Sequence, residues 1–178
     1  FISGYTAFIL TAAYQLPTPT RLAYSSEPLT TEFYDRDGNL LYRLYAGKNR
    51  TLIQLSEVPK NLIQATIAIE DQNFYRHFGI DPAAMTRALY HNLTNNDQQG
   101  ASTITQQLIK NSLLTPEKSY IRKAREAILA LWTERIYSKD QILQMYFNEA
   151  PYGGTIVGVA AASQTYFAYP GGFEPPTF

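Results

Sequence analysis

The chain has 178 residues, the size of one domain, and is long enough to bury a hydrophobic core without disulfides. Fifteen basic side chains balance fifteen acidic ones, so the net charge does not indicate a general nucleic-acid binder, and any phosphate site must come from a local cluster. The absence of cysteine excludes disulfides, thiolate metal ligands and thiol nucleophiles.

Residues 1–20 contain no charged side chain and carry a central apolar stretch. We expect part of an N-terminal membrane anchor here, with Tyr14 at the membrane interface and with Pro17 and Pro19 ending the span. A buried helix and the end of a cleavable signal peptide are the alternatives, because polar residues dilute the apolar stretch.

Residues 21–56 are predicted to form a connector that contains a β-hairpin. Two short runs rich in aromatic and aliphatic residues, one around Phe33 and one over residues 40–44, flank the sequence DRDG. Gly38 in that sequence favours the positive φ angle of a tight turn. The connector would join the anchor to the catalytic body.

Residues 57–167 show helical periodicity almost throughout, so the predicted fold class is mostly α. The polar segment TNNDQQG at residues 94–100 is expected to be a loop that borders a functional site. Four helix starts are predicted from capping residues or capping-box spacing: Asp81 with Pro82, Thr103 with Gln106, Thr115 with Pro116, and Ser138 with Gln141.

Glu70 is the first candidate for catalysis, because it follows the apolar residues 67–69 and precedes an aromatic and basic patch. A carboxylate held against apolar walls is desolvated, which suits a general base near neutral pH. Taken alone, an ordinary acidic helix end is the simpler interpretation. With only His77 and His91 in the chain, a histidine-rich metal site is not expected.

A second group is basic and contains Lys110, Arg122, Lys123 and Arg125, with Glu126 among them. Such side chains suit a phosphate or pyrophosphate, and Glu126 could hold a divalent cation against the same group. The alternative is a solvated helix face on which Arg122 pairs with Glu126 across one turn, worth about 0.3–0.5 kcal/mol.

A third group is the run GASTITQQ at residues 100–107, which places hydroxyls and amides at a helix start. Free backbone N–H groups there can receive an anion or sugar oxygens. A simple capped helix is the alternative. The run lacks the GxxxxGK(S/T) pattern, so nucleotide binding is not supported.

Together these segments resemble the family 51 glycosyltransferases, the transglycosylase domains of class A penicillin-binding proteins and of monofunctional transglycosylases. The resemblance covers about residues 33–167 and includes the connector. Its five ordered motifs are EDQNFYRHFG at 70–79, GASTITQQLIKN at 100–111, RKAREAIL at 122–129, KDQILQMYFNEAPYGG at 139–154 and GVAAASQTYF at 158–167.

The resemblance implies a peptidoglycan glycosyltransferase that polymerises lipid II. Glu70 would deprotonate the acceptor 4-hydroxyl, and transfer with inversion would release undecaprenyl pyrophosphate. Glu126 matches the family's second glutamate and would organise the leaving-group site, where a divalent cation such as Mg²⁺ could also bind. No nucleotide or organic cofactor is expected. The implied substrate-binding residues are Asp71, Ser102, Gln106, Gln107, Lys110, Arg122 and Lys123.

The family also implies a lysozyme-like fold of two lobes on the outer face of the bacterial cytoplasmic membrane. The implied partners are lipid II, the growing glycan strand, the membrane and a cell-wall synthesis complex, with no nucleic acid.

The family pattern is interrupted at residues 168–178, which are rich in Pro and Gly and lack helical periodicity. We therefore expect an atypical tail and a C-terminally truncated, incomplete transglycosylase domain at residues 57–167. Two other functions stay open: a catalytically dead, membrane-bound fragment that only binds lipid II or glycan, and a lysozyme-type hydrolase.

Overall fold

The computed structural model describes residues 11, 13–14, 16–23, 29–94, 100–115 and 119–167. The predicted tail at 168–178, residues 1–10 of the predicted anchor and residues 95–99 of the predicted loop lie outside these ranges. The boundaries predicted between anchor, connector, domain and tail stay predictions. No helix within the described ranges is both long enough and apolar enough to cross a membrane.

The described residues are mostly helical, which confirms the predicted fold class and agrees with the lysozyme-like fold implied by the resemblance. Four short strands and two 3₁₀ turns, at Pro19–Leu22 and Leu55–Glu57, complete the structure. The strands are β1 (Thr31–Tyr34), β2 (Leu40–Leu44), β3 (Asn49–Arg50) and β4 (Ile156–Val157). The helices are α1 (Lys60–Glu70), α2 (Pro82–Thr94), α3 (Ile104–Ser112), α4 (Tyr120–Ile136), α5 (Lys139–Glu149) and α6 (Val159–Phe167).

The predicted hairpin is confirmed, with β1 and β2 antiparallel and Thr31 opposite Leu44. Its turn is held by the Asp35 carboxylate, which accepts hydrogen bonds from the backbone N–H groups of Asp37 and Asn39 at 2.9 and 2.7 Å. Gly38 adopts a φ of +84°, as the turn requires.

Three of the four predicted helix starts are confirmed. Asp81 Oδ1 accepts from two backbone N–H groups in the first turn of α2. Both capping boxes form, one closed by Thr103 at the start of α3 and one by Ser138 at the start of α5. The start predicted at Thr115 and Pro116 is not that of the described helix, and Pro116 itself lies outside the described residues.

Helix α4 begins at Tyr120 instead, because the Ser119 hydroxyl accepts a hydrogen bond from the backbone N–H of Arg122. This hydrogen bond satisfies one of the otherwise unpaired N–H groups in the first turn of α4.

The core lies where α3 packs against both α4 and α5. Each of these helices directs aliphatic or aromatic side chains inward, and Phe74 enters from the loop after α1. The fully buried members are Phe74, Ile104, Leu108, Ile109, Leu129, Ile142, Leu143 and Phe147. Helix α3 is therefore held on two sides, which fixes the polar groups that it carries at its start and on its remaining face.

The end of the connector is attached to the helical body. Strand β3 pairs with β4 in parallel, and the Asn148 side chain both accepts from the N–H and donates to the carbonyl of Ile53, at 2.9 and 3.0 Å. Arg50 and Glu149 form an ion pair at the same seam. The connector and α5 consequently form one packed unit in the described residues.

Candidate active site

The loop after α1 is locked against the start of α3 by buried Asp71. Its carboxylate accepts from His77 Nε2 at 2.9 Å and from the backbone N–H of Ile104 at 3.0 Å. The Gly79 N–H donates to His77 Nδ1 at 3.1 Å, so the ring proton lies on Nε2. The Asp71 side chain thus holds the first and second motifs together.

Gly79 adopts a φ of +92° and lies against α4, where an added Cβ would come within 2.7 Å of the Ala130 carbonyl. The Gly79 carbonyl accepts from the Thr103 hydroxyl at 2.6 Å. The loop can therefore approach both α3 and α4 only because this residue has no side chain.

Glu70 is the last residue of α1, and its side chain is exposed. The preceding Ile69 is 80% exposed, so the expected apolar wall around Glu70 is wrong. The apolar side chains of α1 that pack against the core are Leu62, Ile63 and Ile67. What Glu70 does contact is Gln107 Nε2, which donates to Oε2 at 2.6 Å.

A cavity of about 340 Å³ opens beside Glu70. Its walls come from the first and second motifs and from α2, and they are mainly polar. The lining includes Glu70, Asp71, Asn73, Arg87, His91 and Ser102. The cavity therefore brings together predicted site residues that are distant in sequence.

A cation cluster adjoins Ser102. Glu126 is only 2% exposed, and its two carboxylate oxygens accept from Arg122 Nη1 at 2.5 Å and from Lys123 Nζ at 2.9 Å. Lys123 Nζ also donates to Ser102 Oγ at 2.7 Å. The Arg122–Glu126 pair predicted for a solvated face is thus present, but its carboxylate is buried and shared by two cations.

The other predicted site residues have different surroundings. Gln106 is buried, and its Oε1 accepts from the Thr103 N–H in the capping box, so its side chain already serves the helix start. Lys110 is exposed in the last turn of α3 and is not a member of the Glu126 cluster. Substrate-binding roles for Gln106 and Lys110 stay predictions.

A divalent cation at Glu126 fits the geometry poorly. Both carboxylate oxygens face the positive charges of Arg122 and Lys123, which repel a metal ion. Within the described ranges, no three His, Asp or Glu side chains are grouped so that they could hold a metal. Metal ions prefer several oxygen ligands, which this cluster does not supply.

Sequence reasoning missed three residues near Glu70: Arg87, Tyr146 and Tyr152. Arg87 lines the cavity. Burial and then the charges of Glu70 and Tyr152 raise the pKa of Tyr146, while burial and then Glu70 raise the pKa of Tyr152. Both tyrosines lie in the fourth motif, but its spacing alone does not tell which hydroxyl faces the carboxylate.

Comparisons with known proteins show the family of the chain. A family model described as Transglycosylase matches residues 37–171. Penicillin-binding protein 1A of Rickettsia conorii is 43% identical over 169 residues, which are 92% of this chain and 21% of the relative.

Two further relatives show the same pattern. Penicillin-binding protein 1F of Bacillus subtilis is 39% identical over 165 residues, with 92% of this chain and 22% of the relative covered. Penicillin-binding protein 1A of Haemophilus influenzae is 47% identical over 138 residues, with 76% and 16% covered. The chain spans about a fifth of the length of these relatives.

The matched region contains the five motifs, Glu70, the cavity and the Glu126 cluster. Because the family model covers well over half of the chain, the chain belongs to the transglycosylase family, as its motifs predict.

Proposed function

We propose that this chain carries the glycan-polymerising activity of a peptidoglycan synthase. Its substrate is lipid II, and it joins disaccharide units into β-1,4 glycan strands. The acceptor 4-oxygen forms a bond to the anomeric carbon of the growing chain, the bond from that carbon to the pyrophosphate breaks with inversion, and undecaprenyl pyrophosphate leaves.

One observation carries this proposal: an exposed carboxylate lines a polar cavity, and another residue of the same lining is bonded to a cation cluster. Glu70 lines the cavity directly, and Ser102 on the same lining is bonded to Lys123 of the cluster. An exposed carboxylate can accept a proton, and cations can neutralise a leaving pyrophosphate. Glycosyl transfer from a lipid pyrophosphate requires both functions.

Glu70 is the proposed general base. Its exposed carboxylate can reach the 4-hydroxyl of a sugar in the cavity and take its proton as the oxygen attacks. General-base assistance of this kind typically contributes about 10² to 10⁴ in rate.

Arg122 and Lys123 are the proposed partners of the leaving pyrophosphate, with Lys110 on the neighbouring helix. Glu126 is a positioning residue in this scheme, because it holds Arg122 and Lys123 through its two oxygens. Two preorganised cations stabilise developing negative charge without reorganisation during the reaction. The scheme uses no metal ion, nucleotide or organic cofactor.

The site of action is proposed to be the outer face of the bacterial cytoplasmic membrane, where the lipid tails of donor and acceptor are embedded. The growing glycan strand is the second proposed partner, and a cell-wall synthesis complex is the third. An anchor in residues 1–20 would keep the cavity close to the membrane.

A hydrolase of the lysozyme type is less consistent with the geometry. Such enzymes use two carboxyl groups that both face the glycan, whereas Glu126 is buried and bonded to two cations. A catalytically dead binder of lipid II would use the same contacts as the polymerase. A measurement of polymerisation therefore has to distinguish the two functions.

Purified chain incubated with labelled lipid II in detergent tests the proposal. We expect polymer and released undecaprenyl pyrophosphate from the native chain, and lipid II binding without polymer from Glu70→Gln. Binding without polymer by the native chain would favour the dead binder. Fragments released from preformed peptidoglycan would favour the hydrolase.

A further inference from the structure

Three helices meet at the Glu70 carboxylate through a short chain of hydrogen bonds. Tyr146 on α5 donates its hydroxyl proton to Gln107 Oε1 at 3.2 Å, and Gln107 on α3 donates through Nε2 to Glu70 Oε2 at 2.6 Å. Glu70 itself ends α1. We propose that Tyr146 is a positioning residue for Glu70 and acts through the Gln107 amide, an inference that rests on the proposed function of Glu70 as the base.

The chemistry of the three groups fixes the direction of these bonds. A carboxylate can only accept, so the Gln107 amide must turn its NH₂ group toward Glu70 and its oxygen toward Tyr146. Burial and the neighbouring charges raise the pKa of Tyr146, which keeps its proton on the hydroxyl and available to the Gln107 oxygen. Tyr146 therefore stabilises the one amide orientation that supports an ionised Glu70.

The burial of Tyr146 makes this support rigid. Its side chain is 7% exposed and lies on a helix that packs against α3. Gln107 is half-buried, whereas Glu70 is exposed. Without a fixed donor, an exposed glutamate samples several rotamers, and catalysis needs one of them. The hydrogen bonds therefore link the exposed Glu70 carboxylate to a buried side chain, which restricts the rotamers of the proposed base.

Other charged or titratable groups also face Glu70. Asp71 is adjacent in the chain, Arg87 and His91 lie across the cavity on α2, and Tyr152 follows α5. None of these is changed by removing the Tyr146 hydroxyl, so Tyr146→Phe isolates the contribution of the hydrogen-bond chain.

The kinetic test compares native chain with Tyr146→Phe. Loss of a supporting hydrogen bond should lower kcat for polymerisation about 3- to 10-fold and leave KM for lipid II within about twofold. Tyr137→Phe is the matched control, because its hydroxyl bonds the Pro19 carbonyl elsewhere. An unchanged kcat, or an effect confined to KM, overturns the proposal.

A double-mutant cycle tests the route through Gln107. If Tyr146 acts through this amide, removing its hydroxyl has little further effect in a Gln107→Ala background. An undiminished effect in that background contradicts the proposal.

A second measurement does not depend on activity. The side-chain amide signal of Gln107, identified in an NMR spectrum by its loss in Gln107→Ala, should change its chemical shift in Tyr146→Phe and in Glu70→Gln, because both variants remove a hydrogen-bond partner of this amide. A signal that does not move in Tyr146→Phe refutes the positioning role. Polymerisation that survives Glu70→Gln would refute the proposed function itself, whereas a dead Glu70→Gln beside an unaffected Tyr146→Phe refutes only the positioning role.

Discussion

At the scale of single residues, Gly79 shows how closely the first motif is packed against its surroundings. Its backbone has a φ of +92°, and an added Cβ would meet the Ala130 carbonyl at 2.7 Å. Backbone atoms cannot move aside as the end of a flexible side chain can. The loop after Glu70 would have to shift. This shift would disturb the hydrogen bond from the Thr103 hydroxyl to the Gly79 carbonyl and the contact of Asp71 with the start of α3.

We predict that Gly79→Ala lowers the free energy of unfolding by about 2–4 kcal/mol, from backbone strain and the clash together. Gly38→Ala is the control, because its φ is also positive at +84° but nothing lies within 4 Å of an added Cβ. That variant should lose only about 1 kcal/mol. Urea unfolding measures both values, and equal losses would show that the close approach to Ala130 is unimportant.

Glu126 gives a second prediction at this scale. The buried carboxylate depends on Arg122 and Lys123 for its compensation, so Arg122→Gln should lower the free energy of unfolding by about 2 kcal/mol. Arg135→Gln, an exposed position near the end of the same helix, should change it by less than about 0.5 kcal/mol. Similar small changes in both variants would mean that Glu126 does not need its cationic partners.

At the scale of elements, the helix starts show what short sequence signals can predict. Capping boxes at Thr103 and Ser138 are local, since all their atoms lie within four residues, and both were predictable. The start of α4 was misassigned because Thr115 with Pro116 and Ser119 both resemble caps. Which hydroxyl is used depends on where the helix packs, and spacing does not contain that information.

The start of α2 has a pH dependence that can be tested. The hydrogen bond from the Asn73 side chain, and then that from the backbone N–H of Ala84, lower the pKa of Asp81 below its ordinary value. The ionised carboxyl therefore stabilises the fold above the unfolded pKa, and this contribution is lost as the pH falls through the folded pKa.

We expect Asp81→Asn, which keeps a capping side chain but has no charge, to be less stable than the native chain at pH 7. The difference should shrink as the pH falls through the folded pKa of Asp81, because protonation removes the charge. This stability difference is measured from the free energies of unfolding of both chains at several pH values. Asp37→Asn, in the exposed hairpin turn, is the control. A difference that stays constant with pH would assign the effect to geometry rather than to charge.

At the scale of the whole molecule, the sequence predicted the mostly α class, the hairpin and the identity of the family. Of the predicted basic group, Arg122 and Lys123 form the cluster with Glu126, because these three residues are close along one helix, whereas Lys110 is not a member. The apolar environment of Glu70 was predicted wrongly. Whether residues 67–69 shield a carboxylate depends on which side of α1 meets the core, and Ile69 proves to be outside it.

The contacts of Glu70 with distant residues were also beyond sequence reasoning. Gln107 is 37 positions away, and Tyr146 follows Gln107 after another 39. Their meeting depends on how α1, α3 and α5 pack around one core. The fold also brings Ser102 to the lining of the cavity and Lys123 within hydrogen-bond distance of Ser102, so the proposed base and the proposed leaving-group site are products of the fold as a whole.

The most direct test of this account is the rate at which purified chain releases undecaprenyl pyrophosphate from lipid II, compared with the rate for Glu70→Gln. A general base at Glu70 predicts a decrease of at least about 100-fold with lipid II binding retained, while Asp37→Asn keeps the native rate. Release by Glu70→Gln within about twofold of the native rate would contradict the assignment of Glu70 as the base.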